Sequence, residues 1–162
     1  MHQIRLANDL DWPKIWPIFA KVAQAGDTYA YPTDISSTKA QTTWLHVPHK
    51  TFVYEQDGQI LGTYYIKPNQ AGPGAHVCNC GYMVAEQARG KGIARALCEH
   101  SQHVALELGY QAMQYNFVAS TNEVAVKLWQ KLGFAVVGTL PGAFKHPTHG
   151  NVDALVMYKW LI

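Results

Sequence analysis

A chain of 162 residues is long enough for one domain with a sizeable core, and a hydrophobic content of 48% excludes a disordered protein. Thirteen Lys and Arg against eleven Asp and Glu leave a formal charge of +2, which argues against a dedicated nucleic-acid binder with its strong basic patch. There is no run of 18 apolar residues and no export signal, so the three cysteines, which cannot all pair internally, read as reduced thiols of a cytoplasmic protein.

Residues 2–6 alternate as a first strand. Asn8 and Asp9 then open a helix that tolerates Pro13 in its first turn, is bent or delayed by Pro17, and ends at Gly26. Ile15, Trp16, Ile18, Phe19 and Val22 supply its apolar face. The stretch 27–34, rich in aromatic and hydroxyl groups, is a loop, either packed on the surface or serving as a substrate lid. Ser37 caps a short helix to about Leu45, and Pro48 stops it. Residues 51–55 and 59–67 form a hairpin about Asp57-Gly58, with Gly62 marking a bulge or a close approach. A turn-rich loop at 68–74 precedes the fourth strand, 75–84. A helix over 93–108 ends at Gly109, and 111–118 is the fifth strand. Thr121 or Asn122 caps a helix running to Leu132 before Gly133. The last two strands are 134–140 and 152–160, separated by a loop over 141–151. Residues 1–162 thus read as one domain in the order β-α-α-β-β-β-α-β-α-β-β, without repeat or linker.

The segment from Gln87 to Leu97 ends the fourth strand's exit and opens the long helix. Gly90 and Gly92 let backbone N–H groups approach a ligand closely. The helix N-terminus adds unpaired donors and a partial positive charge, and Arg89, Lys91 and Arg95 add full charges. The product is an anion site suited to a phosphate or pyrophosphate. It is not a Walker loop, since Gly-x4-Gly-Lys-Ser/Thr is absent. The dinucleotide fingerprint fails too, because Arg95 stands at its third glycine. What fits is Arg/Gln-x-x-Gly-x-Gly/Ala, met by Arg89-x-x-Gly92-x-Ala94 and, in a second register, by Gln87-x-x-Gly90-x-Gly92. The first register continues directly into the helix. The plainer alternative is a glycine-rich turn with solvated basic residues.

This loop resembles the pyrophosphate loop of the GCN5-related N-acetyltransferases (GNAT), which use acetyl-coenzyme A. A second signature, Asn122-x-x-Ala125-x-x-Leu128-Trp129-x-x-Leu132-Gly133-Phe134, is similar to that family's Asn-x-x-Ala-x-x-Leu-Tyr-x-x-x-Gly-Phe, although the same residues also make an amphipathic helix with a glycine stop. The resemblance covers almost the whole chain. It implies an α+β (α/β) acyl-CoA N-acyltransferase fold: a mixed seven-stranded sheet flanked by helices, with splayed strands 4 and 5. The pantetheine arm would fill that gap along Met83, Val84 and Ala85, with a backbone N–H near Val84 holding the thioester oxygen. The pyrophosphate would rest on Arg89, Gly90, Lys91, Gly92, Ile93 and Ala94, and Asn122 would meet the cofactor or merely cap its helix. Within the family, Cys78-Asn79-Cys80-Gly81 and the pair Asn116 and Asn122, six residues apart, resemble the acetyltransferases that act on azetidine-2-carboxylate, a cyclic proline analogue.

Acetyl transfer needs a neutral amine beside the thioester, donors for the oxyanion and a leaving thiolate. Trp129 stands where the family often has an acidic tyrosine, and an indole cannot supply a proton. A thiol pKa of roughly 8.5 makes the thiolate a tolerable leaving group without one. Asn79 and Asn116 are the candidate catalytic residues: their amides can accept from an amine and donate to a carboxylate. Alternatively they satisfy irregular backbone where the strands part. Water or His76 would take the amine proton. Cys78-x-Cys80 lacks a second matching pair for zinc, so no metal is expected. His146-x-x-His149, His100 and His103 read as solvated or structural, and no His is ordered beside a thiol for a cysteine triad. The expected function is therefore acetyl-CoA-dependent N-acetylation of a small amine, such as an amino or cyclic imino acid. A peptide N-acetyltransferase and a coenzyme-A-binding regulatory module without turnover are the alternatives. The expected partners are acetyl-CoA and the acceptor, with neither nucleic acid nor membrane, and monomer or homodimer left open.

Overall fold

The computed structural model describes residues 1–162, and its elements follow the order expected from the sequence. Strand β1 (His2–Leu6) leads through a 3₁₀ turn at Asp9–Asp11 into helix α1 (Trp12–Ala25). Asn8 caps the turn by accepting from the Leu10 N–H, and Asp11 accepts from the Asn8 N–H in return. The helix is thereby delayed to Trp12, continues through Pro17, and ends at Gly26 with φ at 63°. Helix α2 (Ser37–Gln41) is capped by Ser36 rather than Ser37: the extended backbone at Ser36, with ψ at 154°, aims its hydroxyl at the Lys39 N–H. Ser37 Oγ instead accepts from the Trp12 indole at 2.9 Å. A π-helical turn, Thr42–His46, completes this segment.

Strands β2 (Lys50–Gln56) and β3 (Gln59–Pro68) form a hairpin, with Asp57 and Gly58 both at positive φ. The register slips at Tyr54/Glu55, opposite Gly62, so a bulge is present. A Cβ on Gly62 would lie 2.9 Å from the Ile93 side chain, so the close approach is present as well. Strand β4 (Val77–Val84) begins later than position 75, because a 3₁₀ turn at Gly72–Gly74 takes up Ala75. Helix α3 (Ile93–Glu107), strand β5 (Ala112–Ala119) and helix α4 (Glu123–Lys131) follow. Strands β6 (Ala135–His146) and β7 (Gly150–Trp160) consume most of the expected loop over 141–151. Pro141 sits in a register irregularity between Leu140 and Phe144, where its missing N–H breaks no regular ladder.

The seven strands form one sheet in the order β1-β2-β3-β4-β5-β7-β6. Only β4 and β5 run parallel, and they pair at just two positions, Val77 with Ala112 and Cys78 with Met113, before separating. The mixed sheet with its splayed pair is thus present. Alternation puts Thr63, Tyr65, Asn79 and Gly81 on the face covered by Trp44 and Tyr29. Tyr64 and Tyr82 point the other way, to His100 and Ser101 of α3. No helix is long and apolar enough to cross a membrane.

Arg5 of β1 ties α1 to the sheet edge. Its guanidinium donates to both oxygens of Asp11, each at 2.9 Å, and to Glu55 of β2. The Arg5 hydrogen bond holds the Asp11 carboxyl below the usual carboxylate value. A depressed folded pKa contributes stability above the unfolded value, near pH 4, that is lost as pH falls through the folded value. Asp11→Asn should therefore lower neutral-pH stability by about 2 kcal/mol. It should also flatten the acid limb of a plot of Tm against pH. An unchanged acid limb would show that the pair contributes nothing.

Candidate active site

The glycine loop has the geometry of an anion cradle. Gly90 and Gly92 lie at φ 78° and 79°, and a Cβ at either would meet nothing within 4 Å. Packing does not require glycine here; the left-handed backbone and the open approach to its N–H groups do. Gly92 is the N-cap of α3 and supplies no side-chain bond, so the first-turn donors at Ile93, Ala94 and Arg95 have no cap. Arg89 and Lys91 are exposed and make no ion pair, whereas Arg95 is paired with Glu99 at 2.9 Å. At the strand end of the cradle, Met83 and Ala85 are buried and Val84 is partly buried.

A cleft opens where β4 leaves β5. Asn79 sits at its vertex, 6% exposed, with both ends of its amide engaged. Oδ1 accepts from the Tyr65 hydroxyl at 2.7 Å, and Nδ2 donates to the Gln114 carbonyl of β5 at 2.9 Å. This amide replaces the ladder bond that the diverging strands no longer make. Asn116 lies on β5, is exposed, and donates to Asn69 at 2.7 Å while accepting from Gln114 at 2.9 Å. The structure therefore places the two asparagines on adjoining strands but does not bring them into contact. Further along β4, Tyr29 from the 27–34 loop reaches the backbone of Tyr82. That loop is packed: Tyr29 stacks on Tyr31, and Trp44 meets both rings edge-on. Tyr29, Tyr65 and Gln114 were not singled out from the sequence. Gly81 was a signal for the tyrosines, since its Cβ would lie 2.4 Å from the Tyr65 ring and 3.2 Å from the Tyr29 hydroxyl.

The opposite face is closed by a hydroxyl network. The Tyr82 hydroxyl bonds to Ser101 and to the Tyr115 hydroxyl, which also contacts Cys98. Trp129 of α4 is buried, with its ring 5.0 Å from that of Tyr82 and 5.3 Å from that of Tyr115. Burial raises both phenols well above their ordinary pKa. Cys78, Cys80 and Cys98 are free and buried on this side, and burial likewise raises the Cys80 and Cys98 thiols. No group of three or more His, Cys, Asp or Glu side chains is placed so that it could hold a metal ion.

His76 precedes β4, and its ring packs on Trp160. His146 accepts from the Thr148 and His149 N–H groups and so shapes the β6–β7 turn. His100 bonds to Tyr64 at 2.8 Å, and burial lowers its pKa; His103 is exposed. Asn122 caps α4 by accepting from the Ala125 N–H at 3.4 Å, and Thr121 takes no part in the cap.

The family model of the acetyltransferase (GNAT) family matches residues 12–134. A solved GCN5-related N-acetyltransferase from Kribbella flavida is 47% identical with a TM-score of 0.94, over 98% of this chain and 97% of that one. YncA from Salmonella typhimurium, solved with its cofactor acetyl-CoA, shares the fold at 19% identity, with a TM-score of 0.84 over 100% of this chain and 95% of that one. The N-acetyltransferase aca1 of Schizosaccharomyces pombe is 37% identical over 98 residues, which are 60% of this chain and 47% of that protein. The chain thus matches about half the length of that relative.

Two substitutions test the site. Gly92→Asp puts a carboxylate where a pyrophosphate would rest, and Gly92→Asn imposes the same backbone strain without the charge. Acetyl-CoA affinity should fall at least tenfold further in the Asp variant, about 1.4 kcal/mol, with the two melting alike. Equal affinities would remove the anion from this loop. Trp129→Phe should keep most of the activity and Trp129→Tyr should add little, because the ring is held by packing. A gain of about 10²-fold or more with tyrosine, measured as kcat, would show that a general acid was wanting.

Proposed function

Because the chain belongs to the acetyltransferase (GNAT) family, whose members use acetyl-CoA, we propose that it is an N-acetyltransferase domain that acetylates the amine of a small molecule, an amino or cyclic imino acid. The observation that carries this reading is the gap between β4 and β5, with an anion cradle at one end and an amide-lined vertex at the other. In this reading the cofactor's pyrophosphate lies on residues 89–94 and its arm runs along Met83, Val84 and Ala85, with Asn122 beside it. The amine lone pair adds to the thioester carbon, the C–S bond breaks with its electron pair going to sulfur, and the thiolate takes up the proton released by the amine. Water carries that proton. No carboxylate takes part in the hydrogen bonds of the cleft, and burial keeps the Tyr29 and Tyr65 phenols protonated.

The polar groups favour an acceptor with a carboxylate. Lys67 stands opposite Asn79 on β3, lies 5.3 Å from the Tyr65 ring centroid, and has no acidic partner. The amides of Asn69, just after β3, and of Gln114 and Asn116 on β5 are hydrogen-bonded in a row. A cation beside neutral amide donors suits a zwitterion better than a simple amine. The Cys78-Asn79-Cys80-Gly81 strand and the Asn116–Asn122 spacing support a cyclic imino acid in particular. The packed aromatic loop over 27–34 narrows the acceptor face, which favours a small acceptor over a peptide.

A screen of amines by release of coenzyme thiol tests this, with proline analogues, free amino acids and a short peptide as arms. Turnover should be highest with an amine bearing a carboxylate. A preference for the peptide would reverse the reading, and no turnover with any amine would favour a regulatory module. In the responding assay, Asn116→Ala should lower kcat/KM for the acceptor by about 10²-fold, the worth of a hydrogen bond to a charged group, and leave acetyl-CoA affinity unchanged. Asn79→Ala should lower it similarly and also lower Tm, since the Tyr65 hydroxyl and the Gln114 carbonyl lose their partner. Wild-type kcat/KM in both would place the acceptor elsewhere.

A further inference from the structure

The edge of β4 that β5 abandons carries an unusual contact. The Tyr82 N–H donates to the Tyr29 hydroxyl oxygen at 2.6 Å, and that hydroxyl donates to the Tyr82 carbonyl at 2.9 Å. One phenol oxygen thus makes both bonds that a neighbouring strand residue would make. The two residues are 53 apart in sequence, so the contact is not a local turn. Space for it is provided by Gly81, where a side chain would collide with Tyr65 and press on the Tyr29 oxygen. The Tyr29 ring is held by Tyr31 and Trp44 rather than by a helix or strand of its own.

The family resemblance puts the thioester oxygen on a backbone N–H of β4; we propose that the Tyr29 hydroxyl is a built-in plug of that seat at the Tyr82 N–H, displaced only when the acetyl group arrives. The inference rests on the acetyl-transfer reading of the cleft. It moves the oxyanion donor two residues deeper along β4 than the position near Val84 expected from the sequence. The seat has the properties that an oxyanion needs: a fixed backbone donor, buried, on an edge with no strand beside it. A strand amide without a partner is costly, and the phenol removes that cost without closing the edge permanently. A thioester oxygen can only accept, so it replaces the phenol at the N–H while the phenol remains free to donate. The far face is filled by the rings of Tyr82, Tyr115 and Trp129, so the displaced ring and its loop withdraw together on the side of Asn79 and Tyr65. Arrival of the acetyl group would then reshape the wall against which the acceptor binds.

Comparison of acetyl-CoA with coenzyme A tests this, because only the former has the competing oxygen. Tyr29→Phe removes the hydroxyl that must be displaced. It should bind acetyl-CoA about tenfold more tightly than the wild type and bind coenzyme A as the wild type does. Tyr31→Phe, whose hydroxyl has no hydrogen-bond partner in the structure, should change neither affinity. Equal changes for both ligands, or weaker acetyl-CoA binding, would overturn the proposal. If Tyr29→Phe does not fold, the Tyr82 amide resonance of the wild type decides: it should shift with acetyl-CoA and not with coenzyme A, and the same response to both would overturn it. Failure of every amine to be acetylated would sink the functional reading while leaving this ligand contrast standing. Normal turnover with no contrast would sink the seat alone.

Discussion

Strand β4 has hydrogen-bonding groups along two edges, and β5 meets one of them only at Val77 and Cys78. Everything distinctive about the cleft answers that deficit. Backbone N–H and C=O groups removed from water must be paired, and a sheet that opens in its middle creates several that are not. The Asn79 amide spans the vertex, and the Tyr29 phenol takes the next position along the edge. Both depend on groups far away in the chain, so α1, the loop after it and α2 are packed where they are partly to hold one hydroxyl against one peptide unit.

Two glycines let the sheet carry this load on both faces. Gly62 faces α3 and admits Ile93 and Leu97 against β3. Gly81 faces the other way and admits Tyr65 and Tyr29 across β4. Any side chain at the first would push off the helix that opens at the glycine loop, and one at the second would push off the tyrosines at the vertex. Behind the tyrosines stands Trp44, fully buried, with its indole N–H donating to Thr63 and its carbonyl accepting from Thr51. A large ring with every polar atom satisfied is a rigid support, and it fixes the height of the aromatic loop above the sheet.

The element order and the left-handed turns of the glycine loop were legible because they rest on local patterns: alternation, helical periodicity, and glycines at positions that need positive φ. Errors arose where identical residue types compete or where a break in pattern has two meanings. Ser36 and Ser37 are equal as caps until the backbone of one is extended. Pro141-Gly142 is a turn signal that here marks an irregular strand, with the Gly142 N–H held by Asp153. For the site, Asn79 and Asn116 were found as polar residues on the correct strands, but a sequence does not tell which amide is consumed by the protein and which is open. Tyr29 was visible only as one aromatic in a loop of several. Its partner is a backbone group, and backbone groups carry no residue identity.

The three thiols offer a consequence of a different kind. Cys78 and Cys80 face α3 from β4, and Cys98 faces β4 from α3, so the same interface covers them all. Burial raises the Cys80 and Cys98 thiols and so suppresses their thiolate, the reactive form. None can be reached by a reagent unless β4 and α3 come apart, and that motion also dismantles the glycine cradle between them. Their rate of labelling in dilute denaturant is therefore a clock for the opening of the sheet's centre, in which ligand bound at the cradle should register as a slower tick.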